Sequence, residues 1–352
     1  MSSQILITGA TGFIGRQLTR DLAAQGYSVR ILARSPAKAA ALFHESVEVS
    51  SGDLSDTGSL MRACRGVDVI YHIAGSYRFG LRHRRELWAT NVEGAERLFR
   101  AASEGGVGKV VHLSSGGVLG KCRQAANKEI LLTEKDFPAE APRYSAYKAS
   151  KWQAEQRALV WSRRGLHVVI ASTTCPIGPG DDLPTPTGRM ILDFLQKRFP
   201  FYCRTGLNFI GVEDLSRGLQ QVGARGRKGE RYLLSHENLW LKEFLDLLAK
   251  ETGLTGPETC LSNGLIRLIG CGGELIDLLN PRSRNARVCI ETALQSERVQ
   301  FFSNAKAREE LGWSPQIPLE QSLREAIAWF RHEPEMRAAS QRTAASVESH
   351  VQ

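Results

Sequence analysis

The sequence near the amino terminus reads Gln4-Ile-Leu-Ile-Thr-Gly9-Ala-Thr-Gly12-Phe-Ile-Gly15, and a helical pattern follows it. The apolar run predicts a buried strand. The three glycines have separate uses: a tight turn at Gly9, close approach of the backbone to a pyrophosphate at Gly12, and close packing of helix on strand at Gly15. The N–H groups at the start of the helix would add an anion site. The stretch therefore predicts a dinucleotide-binding turn, with a purely structural glycine turn as the alternative.

Short runs rich in Val and Ile alternate with helical patterns along about the first 170 residues. These runs are Ile5–Thr8, Val29–Leu32, Val47–Val49, Val69–His72, Val110–Leu113 and Val168–Ala171. Such repetition predicts a parallel sheet covered by helices on both faces. We therefore expect an α/β fold of the Rossmann type, with a doubly wound parallel sheet.

The chain has 352 residues, enough for one large domain or two lobes with a substantial core. The Pro- and Gly-rich stretch Pro176–Gly188 cannot continue a helix and is expected to loop over the site. We expect residues 1–175 to form the dinucleotide-binding domain with 207–235 returning to it, residues 176–206 and 236–330 to form a smaller carboxy-terminal substrate-binding lobe, and residues 331–352 to form a mobile tail.

Composition and charge exclude some classes of partner. Hydrophobic residues make up 42% and charged residues 24%, as in soluble globular proteins. The net charge of +9 could attract anions, but Arg and Lys are scattered, with one local cluster at Arg82, Arg84 and Arg85. No basic run alternates with aromatic residues. We therefore expect a solvated basic surface and no nucleic-acid partner.

The cysteines, the first residues and the length of the apolar runs indicate the cellular compartment. The seven cysteines include no Cys-x-x-Cys pair, so neither a disulfide framework nor a metal site is indicated. Met1 leads directly into the first predicted strand without a secretory leader, and no window approaches eighteen consecutive apolar residues. We expect a cytoplasmic protein.

The segment Leu265–Leu279 is apolar and is interrupted by three glycines. It is too short to span a bilayer. We expect it to pack in the core; covering an apolar substrate or contacting a membrane surface is the alternative.

Residues after the second, third and fourth predicted strands indicate how a dinucleotide would be held. The second strand normally ends with an acid that binds the ribose of NAD, but here the sequence reads Ala33-Arg34-Ser35. Arg34 could pair with a 2′-phosphate, so we favour NADP over NAD, with a solvated or adenine-stacked Arg34 as the alternative. Asp53, in Gly52-Asp53-Leu54, could bind the adenine amino group or cap the next helix. The small residues of His72-Ile-Ala74-Gly75 would let a cofactor lie against the sheet edge.

Tyr147 and Lys151 lie four residues apart in a helical pattern from about Tyr144 to Arg163, so their side chains share a face. An unperturbed phenol has a pKa of about 10, and a nearby ammonium should lower the pKa of Tyr147 toward working pH. Tyr147 could then exchange a proton with a substrate. Two unrelated surface residues are the alternative. Ser114 and Ser115 end the fifth strand at the carboxyl edge, where a hydroxyl could hold the substrate oxygen.

Together these elements resemble the extended short-chain dehydrogenase/reductase family, the NAD(P)-dependent epimerase/dehydratase family, over about residues 4–330. The matching segments, in the family's order, are Gly9–Gly15, Gly52-Asp53, His72–Gly75, Asn91, Ser114-Ser115, Tyr147 with Lys151, and Pro176–Asp181. The resemblance implies that Tyr147 is the catalytic acid/base, that Lys151 binds the nicotinamide ribose and tunes the tyrosine, and that Ser115 positions the substrate oxygen. The cofactor-binding residues that we expect are Gly9, Thr11, Gly12, Phe13, Ile14, Gly15, Arg34, Asp53, Leu54, Ala74, Ser114, Tyr147, Lys151, Thr174 and Ile177.

A narrower resemblance links the chain to hopanoid-associated sugar epimerases and their dihydroflavonol-reductase-like relatives. It is carried by the segments Ala74–Arg78, Asn91–Ala95, Pro184–Arg189 and Phe301–Lys306. The chain departs from the family pattern at Ser172-Thr173, where Arg-Pro or Asn-Pro is usual, and at Leu119, where Tyr is usual. The family often forms homodimers through helices such as Arg84–Ser103 and Tyr144–Arg163.

The resemblance implies NAD(P)-dependent hydride transfer at a secondary alcohol or ketone of a small molecule. The enzyme would be an epimerase of sugar or polycyclic lipid metabolism if the oxidised intermediate is retained and reduced on its other face. It would be a ketone reductase or dehydrogenase if that intermediate leaves. A non-catalytic dinucleotide sensor is a third hypothesis, because a fold alone does not guarantee chemistry.

Overall fold

The computed structural model describes residues 3–43, 47–125, 128–279 and 289–332. The strands are β1 (Gln4–Thr8), β2 (Ser28–Ala33), β3 (Val47–Ser51), β4 (Val69–His72), β5 (Lys109–Ser115), β6 (Arg123–Ala125), β7 (Lys128–Ile130), β8 (Val168–Thr173), β9 (Cys175–Ile177), β10 (Tyr202–Cys203), β11 (Gly206–Gly211), β12 (Arg231–Leu234), β13 (Glu237–Trp240) and β14 (Cys260–Leu261). The helices are α1 (Phe13–Ala24), α2 (Pro36–Leu42), α3 (Thr57–Ala63), α4 (Arg84–Leu87), α5 (Gly94–Glu104), α6 (Ala146–Arg163), α7 (Pro186–Leu195), α8 (Val212–Arg225), α9 (Leu241–Thr252), α10 (Asn263–Leu279), α11 (Ile290–Gln295), α12 (Ala305–Leu311) and α13 (319–332).

Seven strands form one sheet in the order β12-β8-β5-β4-β1-β2-β3, and every neighbouring pair is parallel. The six apolar runs found in the sequence all lie in this sheet, which confirms the Rossmann-type α/β fold. The strand order reverses direction between β1 and β4. In open parallel sheets this reversal leaves a crevice at the carboxyl ends of the strands, where ligands bind.

Helices cover both faces of the sheet. On one face α1 buries side chains such as Leu18 against β1 and β2, and α8 buries side chains such as Leu219 against β5 and β8. On the other face α3, α5 and α6 bury Leu60, Phe99 and Ala158. The apolar residues of β1 are fully enclosed between the two layers, because both faces of a parallel sheet are covered.

The smaller lobe is built on a second sheet, ordered β13-β11-β9, together with α7, α9 and α13. Its core centres on Phe209 and Phe244, whose rings stack 4.1 Å apart. Residues 207–235 contribute to both units: β11 lies in this small sheet, whereas β12 pairs with β8 in the large one. Of the predicted tail, residues 331 and 332 end α13, and the rest lies outside the described residues.

Helix α7 begins at Pro186, inside the stretch that the sequence predicts as a loop. Proline fits the first position of a helix, where its missing N–H is not needed. The Thr185 hydroxyl accepts the Gly188 N–H at 3.1 Å, and the buried Asp181 accepts the Thr185 N–H at 2.9 Å. The loop is therefore shorter than predicted, because capping groups stabilise an early start of the helix.

Helix α10 corrects the expectation that Leu265–Leu279 packs in the core. Its buried stripe is Ile266, Gly270 and Glu274, and a Cβ on Gly270 would lie only 2.7 Å from the Cβ of Ala293 in α11. Its large apolar side chains point outward: Leu265, Leu268, Leu275 and Ile276 are 44–70% exposed. The small residue on the packed stripe allows close approach to α11, which leaves the leucines uncovered. None of the described helices is long and apolar enough to cross a membrane.

A buried ion pair joins the large sheet to α6. Glu155 of α6 is fully buried and accepts a hydrogen bond from the Arg231 Nε of β12 at 2.7 Å, and it also accepts the hydroxyl of Ser114 in β5. We expect Arg231→Met to lower the free energy of unfolding by about 3–5 kcal/mol at pH 8, because it leaves a buried carboxylate without its cation.

Urea denaturation would measure this loss against Arg143→Met, which removes an ion pair with Glu140 whose two side chains are 91% and 81% exposed. The control should change stability by less than about 0.5 kcal/mol. Equal effects of the two substitutions would show that the Glu155–Arg231 pair does not hold α6 on the sheet.

Candidate functional site

The glycine turn is closed by backbone contacts that exclude side chains. The Gly12 N–H donates to the Gly9 carbonyl at 3.0 Å, and Gly9 has a φ of +76°, which favours glycine. A Cβ on Gly15 would lie 2.2 Å from that same carbonyl oxygen. Helix α1 starts at Phe13 without a side-chain cap. Its first N–H groups are therefore directed at the crevice, as a pyrophosphate requires, with Thr11 and Ile14 half-buried beside them.

The turn after β1 touches the end of β4. A Cβ on Gly9 would lie 2.6 Å from the nitrogen of Ala74, and the Ala74 N–H donates to the Thr8 hydroxyl at 3.4 Å. The same hydroxyl is 2.7 Å from Nδ1 of His72, a fully buried ring whose pKa is lowered to about 3 by burial. The structure thus brings Gly9 and Ala74 together and gives His72 an internal hydrogen-bond partner.

Arg34 and Asp53 meet at the other end of the crevice. The Arg34 side chain is 85% exposed, and its Nε lies 3.9 Å from the Asp53 carboxylate. Asp53 accepts the N–H and hydroxyl of Ser55, hydrogen bonds that lower the pKa of its carboxyl. The cap of α3 is Asp56, so the alternative that Asp53 caps this helix is wrong. Leu54 is buried against Gly94.

Ser115 and Tyr147 form the centre of the site. The Ser115 hydroxyl lies beside the Tyr147 phenol, and Tyr147 is half-buried at the start of α6. Burial raises the pKa of Tyr147 to about 12, and the nearby Ser115 hydroxyl only moderates this rise. The expectation of a lowered phenol pKa is therefore wrong, because loss of solvent outweighs the favourable groups nearby.

Lys151 lies one turn after Tyr147 and is buried. Its Nζ donates to the Leu113 carbonyl of β5 at 3.0 Å, and burial lowers its pKa to about 8, opposed by the Glu155 carboxylate. A Cβ on Gly75 would lie 3.2 Å from this Nζ. The small residues after β4 therefore leave room for the ammonium beside the crevice.

A π-helix over Trp88–Glu93 holds Asn91 in the same region. The Asn91 amide accepts the Ser76 N–H at 2.8 Å and donates to the Ser76 carbonyl and the Ser150 hydroxyl, both at 2.9 Å. Single turns of π-helix are frequent at functional sites. Here the wide turn lets one amide fix the loop after Gly75 to the helix that carries Tyr147.

The remaining predicted residues lie near the site with different neighbours. The Ser114 hydroxyl is directed to Glu155, on the opposite side of β5 from Ser115, because successive residues of a strand face opposite ways. The Thr174 hydroxyl is buried and has no hydrogen-bond partner among the described residues, whereas Ile177 is packed in the core of the small lobe. Within the described ranges, no cluster of three or more His, Cys, Asp or Glu side chains could hold a metal ion.

Three contacts at the site have no counterpart in the sequence motifs. The first is Lys148, which is buried. Its Nζ lies 3.4 Å from the Tyr144 hydroxyl and donates to the Gln300 side chain at 3.2 Å. Burial lowers the pKa of Lys148 to about 7. Gln300 also donates to the carbonyls of Gly117 and Gly120, in the turn that follows Ser115. Lys148 could have been noticed beside Tyr147, but no local pattern points to Gln300.

Glu291 is the third such contact. This buried carboxylate accepts the hydroxyl of Ser145, which caps α6, and the Tyr147 N–H at 3.4 Å. Its second oxygen accepts the Gly80 N–H at 3.1 Å. A carboxylate at a helix N-terminus is favourable. Glu291 therefore ties the small lobe to the start of the helix that carries Tyr147.

Two loops close over the crevice. Arg16 of α1 is buried and ion-paired with Asp182, and the Tyr77 hydroxyl donates to the Leu183 carbonyl at 2.8 Å. Below them the Phe79 ring meets the Tyr147 ring edge-on, with centroids 5.6 Å apart. The stretch after Cys175 thus lies over the site, as its sequence predicts, and the Phe79 ring covers one side of the phenol.

Comparison with known proteins agrees with this geometry. The family model described as the NAD dependent epimerase/dehydratase family matches residues 5–234. A protein of Synechocystis sp. named as a dihydroflavonol 4-reductase is 34% identical over 339 residues, which cover 94% of this chain and 96% of that protein. Sterol demethylase protein B of Methylococcus capsulatus is 30% identical and covers 93% of this chain and 98% of its own length.

Solved structures give the same result. The crystal structure of gox2253 superposes with a TM-score of 0.77 at 34% identity, over 94% of this chain and 98% of that one. A nucleoside-diphosphate-sugar epimerase from Pseudomonas aeruginosa superposes with a TM-score of 0.76 at 26% identity, with the same coverage. This chain therefore belongs to the NAD-dependent epimerase/dehydratase family, and it is an NAD(P)-dependent enzyme of the extended short-chain dehydrogenase/reductase type.

Proposed function

We propose that this enzyme interconverts a ketone and a secondary alcohol on an apolar substrate, with NADP(H) preferred over NAD(H). The observation that carries the proposal is the Tyr147 phenol, which lies beside the Ser115 hydroxyl and in edge-on contact with the Phe79 ring. It supplies a proton donor in an apolar setting next to a crevice whose glycine turn fits a dinucleotide. Relatives named for dihydroflavonol and sterol chemistry support the choice of an apolar ring-containing substrate.

The chain's own residues would handle the proton. A bound nicotinamide supplies or accepts the hydride at the substrate carbon. In the reducing direction Tyr147, held protonated by its raised pKa, donates the phenolic proton to the substrate oxygen as the carbonyl becomes an alkoxide. Ser115 orients that oxygen. The Lys151 ammonium stabilises the phenolate that remains until a solvent proton replaces the one transferred.

A nucleotide-sugar epimerase is the second candidate. It is favoured by a basic surface pocket lined by Lys121, Arg267 and Arg298 beside Tyr144, although Glu297 pairs with Arg267 there. The Arg298 guanidinium lies 3.7 Å from the centre of the Tyr144 ring. Cationic groups of this kind could hold a diphosphate.

Reduced-nicotinamide absorbance separates the two candidates. Incubation with NADPH and a panel of flavanone-like and steroid ketones should consume cofactor in proportion to the alcohol formed. Conversion of a nucleotide sugar without net consumption of NADPH would instead support the epimerase.

Tyr147→Phe should lower kcat for the ketone by about 10²–10⁴-fold, because it removes the proton donor, and should leave the Kd for NADPH nearly unchanged. Tyr27→Phe, at an exposed position before β2, is the matched control. Full turnover by Tyr147→Phe would exclude the assigned mechanism.

The pH dependence should follow Lys151. Burial lowers the pKa of this lysine, so its charge is present at neutral pH and is lost as the pH rises through about 8. Tyr147 stays protonated over this range. We expect kcat/KM for ketone reduction to be level below about pH 7.5 and to fall above about pH 8. Lys151→Arg should remove the fall, even at a lower rate, because a guanidinium does not titrate there.

Lys148 provides the control for this profile, since its pKa is lowered to about 7. Lys148→Gln should keep the descending limb near pH 8. If the fall in kcat/KM above pH 8 disappears in Lys148→Gln and persists in Lys151→Arg, the fall is due to Lys148 and not to Lys151.

Preference for NADP rests on Arg34, whose exposed guanidinium could pair with a 2′-phosphate. Arg34→Ala should weaken NADPH binding by roughly tenfold and leave NADH binding nearly unchanged. Titration of protein fluorescence would give both Kd values. Arg65→Ala, an exposed arginine at the opposite edge of the sheet, is the control. An NADPH affinity that does not change in Arg34→Ala would end the proposed preference.

A further inference from the structure

Helix α10 packs on a stripe that contains a glycine and a glutamate, and it leaves four large apolar residues exposed. Glu274 is buried and accepts the Leu81 N–H at 2.9 Å, and Gly270 faces α11. The outward residues Leu265, Leu268, Leu275 and Ile276 follow helical spacing along one face. Leu81 is held beside α10 through Glu274, and its side chain is 56% exposed. We name these five residues the apolar patch. A contiguous exposed surface of this kind marks an interaction site.

A basic surface continues from Leu81. Arg84, Arg85 and Trp88 follow it at helical spacing, and all three are exposed. Within the described part of the chain, no carboxylate lies within ion-pairing distance of Arg84 or Arg85. The neighbouring Glu86 is engaged by Arg78 at 3.2 Å and by His83 at 3.5 Å.

Two other described carboxylates near Leu81 face inward, away from the arginines. Glu274 and Glu291 are buried and accept backbone N–H groups of the Gly80–Leu81 turn. Among the described residues, Arg84 and Arg85 thus carry charge without an ion-pair partner near Leu81, and the exposed indole of Trp88 follows them. Apolar side chains flanked by Arg and Trp are typical of segments that lie in a membrane interface.

We infer that the apolar patch, with Arg84, Arg85 and Trp88, docks this enzyme on the surface of an anionic lipid bilayer. The leucines of α10 would enter the boundary between headgroups and acyl chains, and the arginines would contact lipid phosphates. A second copy of the chain fits less well, because an isologous interface would bury two sets of unpaired arginines without acidic partners.

One residue of the patch, Leu81, lies close to the site. Leu81 and Gly80 directly follow Phe79, whose ring contacts Tyr147. A docked enzyme would therefore open its crevice toward the lipid, and an apolar ketone could reach Tyr147 without crossing water. This consequence rests on the proposed function, whereas docking itself does not require it.

Sedimentation with vesicles tests the inference on the full chain. Protein should co-sediment with phosphatidylglycerol-containing vesicles and much less with pure phosphatidylcholine vesicles, and high salt should weaken binding because it screens the arginines. Leu268→Glu/Leu275→Glu should raise the Kd for anionic vesicles by at least about tenfold, and Arg84→Gln/Arg85→Gln by about tenfold. The control Arg62→Gln/Arg65→Gln changes two exposed arginines at the opposite edge of the sheet and should have little effect.

A fluorescent label gives a second, site-resolved readout. Cys271 is exposed on α10, and Cys260 is the other exposed thiol. In a Cys260→Ser background, a polarity-sensitive dye on Cys271 should shift its emission to the blue on addition of anionic vesicles. A dye on Tyr27→Cys, in a background that lacks both exposed thiols, should not shift.

Three outcomes would overturn the inference: no binding to anionic vesicles, equal binding by the Leu268→Glu/Leu275→Glu variant, or concentration-dependent dimerisation that this variant abolishes while vesicles are not bound. NADPH oxidation with a water-soluble ketone, measured without vesicles, should be the same in the patch variants and the wild type. If the wild-type enzyme does not oxidise NADPH with such a ketone, the result counts against the proposed function and not against docking.

Discussion

The contact between the Gly15 backbone and the Gly9 carbonyl is the constraint on which the site depends. A Cβ at Gly15 would lie 2.2 Å from that oxygen, so α1 can sit this close to β1 only through glycine. The close fit sets where the helix starts, and hence where its free N–H groups point. The end of β4 reaches Gly9 for a similar reason, because a Cβ on Gly9 would lie 2.6 Å from the nitrogen of Ala74. The position of the dinucleotide crevice follows from these backbone distances more than from any side chain.

Burial of charged side chains is the second constraint, and it affects several neighbouring residues. Lys151, Glu155 and Arg231 connect β5, α6 and β12 beneath Tyr147. Each charge is costly to bury alone and is tolerated because a neighbour or a backbone carbonyl pairs with it. The same loss of solvent that raises the pKa of Tyr147 lowers the pKa of Lys151. A proton donor and a titrating cation therefore arise one helical turn apart from one physical cause.

The parts of the fold that could be predicted are those with a local cause. Runs of Val and Ile gave the strands of the large sheet, and the spacing of Tyr147 and Lys151 placed both on one face of α6. The orientation of α10 could not be predicted, because periodicity shows that two stripes exist but not which one is covered, and the covering helix α11 comes later in the chain. The prediction of a lowered pKa for Tyr147 was wrong for a related reason. The sequence shows the Lys151 ammonium but does not show how far the phenol is removed from solvent. Glu291 and Gln300 act across more than 140 residues and leave no local pattern.

Those two residues give the assembly of the enzyme an order in time. The glycine turn and its neighbours belong to the first strands of the chain and need nothing from the small lobe to close. The turn after Ser115 and the start of α6 are different, since Gln300 and Glu291 complete their hydrogen bonds. During synthesis on the ribosome the cofactor crevice can therefore form early, while the proton-transfer centre must wait until nearly the whole chain has emerged. A nascent chain would close its glycine turn before it completes the groups that move the proton.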